Sequence, residues 1–186
     1  MPTLSKQDRL IEAATIVFYH QGVVNTTLAD IAKHAGIPLG NVYYHFRTKE
    51  ALVAAVIQRH VQGLQSMFAD WEQLSDPRER FLALLAAERQ EKSTLARYGC
   101  PHGSLCQELD KGDDALATAA TQLFQTYVEW AREQLRLLGK DEPEASDLAV
   151  DFIASLQGAF LLSNCFRSTD LLERKLQRME TWVRSL

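Results

Sequence analysis

Residues 26–50 read TTLADIAKHAGIPLGNVYYHFRTKE. Thr27 is a good helix N-cap and Asp30 follows three residues later, the spacing of a capping box. Ile31 and Ala35 lie one turn apart on the inward side, and Gly36 ends this first segment, over 27–35. Pro38 suits the first turn of a second short helix, over 38–46, because its missing N–H would be unpaired there anyway. Two short helices joined by Gly36-Ile37-Pro38 predict a helix-turn-helix. Its second helix fits the major groove of duplex DNA. Leu39, Gly40 and Asn41 give that helix a small, exposed start, and the Asn41 amide suits a base edge or a phosphate. Tyr43, Tyr44, His45 and Lys49 add hydroxyl, imidazole and ammonium groups within two turns. Any one of these aromatics also reads as packing, and Phe46 falls on the inward stripe. The order of small, polar and aromatic residues is harder to derive from packing alone.

Outward from this stretch the chain reads as helices. Ser5 and Asp8 form another cap spacing, and Leu10, Ile11, Ala14, Val17 and Phe18 recur every three or four residues until Gly22. Thr48 caps a long amphipathic helix over 49–74, with Leu52, Val56, Val61, Leu64 and Phe68 on its stripe. Asp76-Pro77 opens the next helix. The stretch Tyr98-Gly-Cys-Pro-His-Gly is irregular. Lys111-Gly-Asp-Asp reads as a turn before a helix over 114–138. A polar linker over 140–145 contains Pro143. An unusually apolar helix over 146–166 and a last one over 169–183 complete the chain.

The composition agrees. Among 186 residues, Leu and Ala number 48 against 16 Val and Ile. With 9 Gly and 5 Pro, this favours an all-α fold over a sheet. The net charge of −4 speaks weakly against nucleic acid when taken whole. It divides unevenly, however. Residues 1–60 carry +2 with four of the five histidines, and residues 61–186 carry −6. The sequence thus splits into a helix-turn-helix domain over 1–48 and a helical domain over 49–186.

No basic, then apolar, leader opens the chain, and the longest strongly apolar runs are seven residues. The expectation is a cytoplasmic protein that does not enter a membrane. Three cysteines, Cys100, Cys106 and Cys165, with no C-x-x-C pair, fit neither a disulfide framework nor a standard zinc site. No metal and no cofactor is expected.

Thr26-Thr27, Asp30-Ile31-Ala32, Gly36 and the run from Tyr43 to Leu52 (YYHFRTKEAL) closely resemble the DNA-binding domain of the TetR family of transcriptional regulators, over roughly residues 6–66. Ala29 departs from that pattern, where the family often has a basic residue. The resemblance implies an all-helical homodimer that binds double-stranded operator DNA, most often as a repressor. By the same likeness, Thr27, Leu39, Gly40, Asn41, Tyr43, Tyr44, His45 and Lys49 contact DNA. An effector would shift the bundle through the 49–74 helix. The two recognition helices would then leave the spacing of about 34–36 Å that matches successive major grooves.

The family likeness also assigns roles to the acidic remainder. The last two long helices would form the dimer interface, with Phe152, Leu156, Ala159, Phe160 and Ser163 facing the partner; alternatively these five bury only against their own chain. A pocket for an unknown small-molecule effector would draw on Met67, Trp71, Tyr98, Phe124, Tyr127, Trp130 and Phe160, each of which also reads as core. The block Gly99-Cys100-Pro101-His102-Gly103-Ser104-Leu105 resembles that of a TetR subgroup that includes repressors sensing electrophiles or oxidants through the cysteine. A helix starting near Pro101 would activate the Cys100 thiol through its dipole, and His102 would add positive charge. Alternatively, Cys100 packs as a small hydrophobe. Cys106 is a candidate resolving thiol, and Cys165 reads as structural.

Two other classes compete with a regulator. An enzyme would use Cys100 as nucleophile and His102 as base, but two loop residues this close rarely converge, and no oxyanion partner is visible. An interaction protein that has lost DNA binding has only Ala29 and the modest +2 charge in its favour.

Overall fold

A computed structural model describes residues 4–110 and 115–186. The described residues form helices α1 (Lys6–Gln21), α2 (Leu28–Ala35), α3 (Leu39–His45), α4 (Lys49–Trp71), α5 (Pro77–Gln90), α6 (Lys92–Tyr98), α7 (Pro101–Leu109), α8 (Ala115–Leu137), α9 (Glu142–Phe166) and α10 (Thr169–Ser185). No strand occurs among them, as the Leu- and Ala-rich composition predicts. The expected turn at Lys111-Gly-Asp-Asp lies outside the described residues.

Local signals set most helix ends. The Ser5 hydroxyl accepts the Asp8 N–H at 3.0 Å, and Gly22 stops α1 at a φ of 82° that disfavours a side chain. Thr27 and Asp30 make the full capping box of α2, and Gly36 closes that helix in the left-handed region. Thr48 accepts the Ala51 N–H at 3.1 Å, and Asp76 accepts the Arg78 N–H at 2.9 Å. Four boundaries differ from the sequence reading. Pro38 caps α3 from outside. α4 stops at Trp71. The helix after Pro77 breaks at Glu91 into α5 and α6. The 140–145 linker is mostly helix, because the Asp141 carboxylate accepts the Glu144 N–H at 3.0 Å and Pro143 sits harmlessly in the first turn of α9.

The chain divides into two compact units, which cut α4 and α8 and so do not follow the 48/49 boundary. The first takes the described residues of 1–63 and 101–123. Its core holds Leu10, Ala14, Ile31, Val42, Phe46, Leu52, Val56 and Ile57. In this unit α7 meets α4 through two histidines, with His102 Nε2 3.2 Å from His60 Nδ1 and the rings edge to face. Burial and the neighbouring ring push His102 down to about 3, and burial lowers His60 as well. Both are therefore neutral near pH 7.

The second unit takes 64–100 and 124–186. Its centre is aromatic. Phe68 stacks on Trp130 at 4.5 Å, while Phe81 meets Trp130 edge-on at 5.4 Å and Phe152 at 4.9 Å. Around this core Arg89 bridges Glu173 at 2.9 Å and Glu180 at 2.6 Å, and Lys92 reaches Glu173 at 3.2 Å. α9 alone among the described helices has the length and apolar content of a membrane span. Its inner face, from Ala145 to Ser163, is buried in this unit, as in the core helix of a folded domain.

Phe81 is fully buried among these rings, so Phe81→Ala leaves a large cavity and should cost about 3–5 kcal/mol in urea unfolding; a loss under about 1 kcal/mol would contradict the packing. The histidine pair gives stability a pH dependence. Unfolded histidine takes up its proton near 6.5, whereas folded His102 does so only at about 3. Stability should therefore fall as the pH drops from about 7 towards 4, by up to about 1.4 kcal/mol per pH unit from His102, with His60 acting in the same direction. His102→Gln should flatten that slope, and an unchanged slope in its pH-resolved melts would contradict the assignment.

Candidate nucleic-acid interface

The helix-turn-helix is held from behind and open in front. Behind, Val42 and Phe46 anchor α3 in the core, and the Arg9 guanidinium donates to the Ala35 carbonyl at 2.7 Å, closing the end of α2. In front, Leu39, Tyr43 and Tyr44 are exposed, Tyr44 at 84%. Asn41 and His45 are half-buried at the edges of this face, and Tyr44 and His45 meet edge to face at 5.1 Å. Gly40 also lies on the outer side, and a Cβ there would meet nothing within 4 Å. No internal contact requires that glycine. Its smallness matters only to something that approaches from outside.

Thr27 and Lys49 already have work inside the protein. The Thr27 hydroxyl donates to the Asp30 carboxylate at 2.6 Å, and these bonds lower the Asp30 pKa. The Lys49 ammonium donates to the carbonyls of Val23 at 2.9 Å and Thr26 at 3.1 Å. This tether spans more than twenty residues of chain, and no local pattern announces it. A third N–H of Lys49 remains for an outside acceptor.

The expected effector-pocket residues fall in the second unit. Trp71, Tyr127, Trp130 and Phe124 neighbour one another or Phe68 at ring distances of 4.5–6.3 Å. Phe160 is buried and Met67 half-buried, and Tyr98 lies under the Arg97 guanidinium at 5.0 Å. Sequence reasoning missed Glu88. Burial, with Glu91 nearby, raises its carboxyl to about 7. Tyr127 is raised by burial and by the charges of Glu88 and Cys100. The Trp130 Nε1–H is buried with no hydrogen-bond partner among the described residues. On a helical wheel Glu88 looks like any solvated carboxylate, so only its burial singles it out.

The structure bears on three expectations. His102 is held neutral by burial and supplies no positive charge to Cys100, which stands half-exposed directly before α7. Cys165 is exposed, so it is not a core cysteine. Phe152, Leu156, Ala159, Phe160 and Ser163 are buried within this one chain, and the Ser163 hydroxyl donates to the Ser168 carbonyl at 2.7 Å. The apolar side chains that α9 leaves exposed are Val150, Leu161, Leu162 and Phe166. Beside them, α9 and α10 line a groove of about 420 Å³ that includes Gly158, Leu162, Leu171 and Arg174. Among the described residues no three His, Cys, Asp or Glu side chains gather as metal ligands would.

Known proteins share this arrangement. Residues 10–56 match the family described as bacterial regulatory proteins, tetR family. Residues 77–177 match the transcriptional regulator LmrA/YxaF-like C-terminal domain. The HTH-type transcriptional regulator LmrA of Bacillus subtilis is 31% identical over 170 residues, covering 89% of this chain and 90% of that protein. The HTH-type transcriptional repressor DhaR of a Mycobacterium species is 31% identical over 177 residues, covering 91% and 88%. A TetR transcriptional regulator from Legionella pneumophila superposes with a TM-score of 0.86 at 21% identity, covering 97% of this chain and 98% of that one; this likeness speaks for the fold. These relatives are transcriptional regulators, not enzymes. The outward face of α3, the capped helix-turn-helix and the two family matches together make this chain a member of the TetR family of transcriptional regulators, with a C-terminal domain of the LmrA/YxaF kind.

Proposed function

We propose that the chain is a cytoplasmic repressor that binds a two-fold operator as a homodimer and lets go when its second unit is altered. The observation that carries this reading is the outer face of α3. Leu39, Gly40, Tyr43 and Tyr44 are presented on the outside of the fold, flanked by Asn41 and by His45, whose ring meets Tyr44. Thr27 at the start of α2 and the remaining N–H of Lys49 would meet phosphate oxygens. Dimerisation would use the exposed side of α9 and the adjoining groove, whose lining includes Ala159 of the five expected residues. The printed name of DhaR supports repression over activation.

Two routes to release are supported by different observations. The aromatic cluster with the unpaired Trp130 N–H suits an apolar, planar effector. Cys100, directly before α7, suits modification of a thiol by an electrophile or oxidant, as in the subgroup its Gly-Cys-x-x-Gly-Ser-Leu block resembles.

The test starts from a random duplex pool from which the protein enriches an operator. Gly40→Leu should raise the melting temperature slightly, because leucine is the better helix former. It should also weaken operator binding by about tenfold or more, the scale of a lost groove contact. Unchanged binding would refute α3 as the reading helix. Titrating the complex with N-ethylmaleimide separates the release routes. Release that disappears in Cys100→Ser supports the thiol, and release that is absent in both proteins removes it.

A further inference from the structure

The connection between α1 and α2 is gripped from two directions. From α7, the Glu108 carboxylate accepts the N–H groups of Val23 at 2.6 Å and Val24 at 3.2 Å. From α4, Lys49 donates to the carbonyls of Val23 and Thr26. The Val23 residue is thus bonded through its N–H to a carboxylate and through its C=O to an ammonium. The buried Thr26 side chain closes the corner by donating to the Gly22 carbonyl at 2.7 Å. The next residue, Thr27, caps α2.

Gly22 is fitted to this grip. Its φ of 82° disfavours a side chain, and a Cβ there would stand 2.6 Å from Glu108 Oε1 and 3.2 Å from Cδ and Oε2. The backbone conformation therefore favours glycine, and a Cβ there would push the Glu108 carboxylate out of its present place. Glu108 makes this contact across 85 positions of sequence, whereas the other groups of the corner lie within the first fifty residues. Hydrogen bonds to an ionised acceptor are stronger than neutral ones, so a movement of α7 along its axis would pull on the corner that sets where α2 begins. α7 itself starts directly after Gly99 and Cys100, the stretch singled out above as a sensor.

We propose that Glu108 is a positioning residue for DNA recognition, through which α7 fixes the α1–α2 corner and with it the helix-turn-helix. This rests on the reading of the protein as an operator-binding regulator. Glu108 touches no DNA; it acts through the amides of Val23 and Val24.

The test uses the full chain and the enriched operator duplex. Glu108→Ala should weaken operator binding by about tenfold or more, and Glu108→Gln should recover part of that loss because its amide oxygen still accepts. Glu108→Leu, of similar size but with no acceptor, should not. Asp110→Ala, on the exposed residue just beyond α7, should leave binding unchanged. Amide hydrogen exchange of α2 in the absence of DNA should quicken in Glu108→Ala and slow again in Glu108→Gln, while α1 keeps its protection. Operator binding unchanged in Glu108→Ala would overturn the proposal, as would equal losses in the Gln and Leu variants, which would mark the contact as mere filling of space. If the wild-type chain enriches no duplex at all, the regulator reading fails. The exchange data then decide the grip on their own, and unchanged exchange in α2 overturns it.

Discussion

The structure depends on one apolar stripe that has to be buried twice. α4 runs unbroken for 23 residues, and its inward positions are covered along both halves. Leu52, Val53, Val56 and Ile57 lie in the core of the first unit, and Leu64 and Phe68 in that of the second. Exposing either half would leave several large side chains in water, at about 1.5–3 kcal/mol each. The division between the two compact units therefore falls within α4, after residue 63, rather than at its start.

The helix-turn-helix rests on a different kind of constraint, made of polar groups used economically. Three of the six Lys and Arg side chains in the first sixty residues have internal partners. Arg9 closes the end of α2, Lys49 holds the α1–α2 corner, and Arg59 pairs with Asp8. Each satisfies backbone carbonyls or a carboxylate on a neighbouring element. α3 needs no such help, since Val42 and Phe46 bury it from behind, and the ring contact on its outer face joins neighbours in sequence, Tyr44 and His45.

Legibility in the sequence followed the range of the signal. Ser5, Gly22, Thr27, Gly36 and Asp76 act within one turn of where they stand, and the helix ends they imply are the ones observed. The helix-turn-helix was legible for the same reason, being a run of local signals in a fixed order. Long-range pairs were not. Nothing in the spacing of His60 and His102, or of Val23 and Glu108, links them, because contacts across 42 and 85 positions are created by packing. α9 failed for a third reason. It is apolar nearly all round, so Phe152 and Phe166 look alike on paper, yet the first is buried and the second is 68% exposed. Where both faces of a helix are hydrophobic, periodicity shows that a helix exists and cannot say which side faces its own core. Pro143 misled in the opposite sense. Proline suits a linker and a first helical turn equally well, and the Asp141 cap decides between them.

The charge balance takes on a sharper meaning once these partners are known. A net +2 over the first sixty residues is already modest for a phosphate-binding surface, and much of it is committed to the protein's own backbone and carboxylates. His60 adds nothing, since burial keeps it neutral. A duplex docked on α3 would therefore find few mobile cations and a well-defined relief of Tyr43, Tyr44, Leu39 and the gap at Gly40. Binding of that kind releases few counterions and draws its strength from fit. Fit in turn depends on how accurately α2 and α3 are placed. A weakly charged face of this kind would be sensitive to small displacements, because it has little long-range attraction to fall back on when its shape no longer matches the groove.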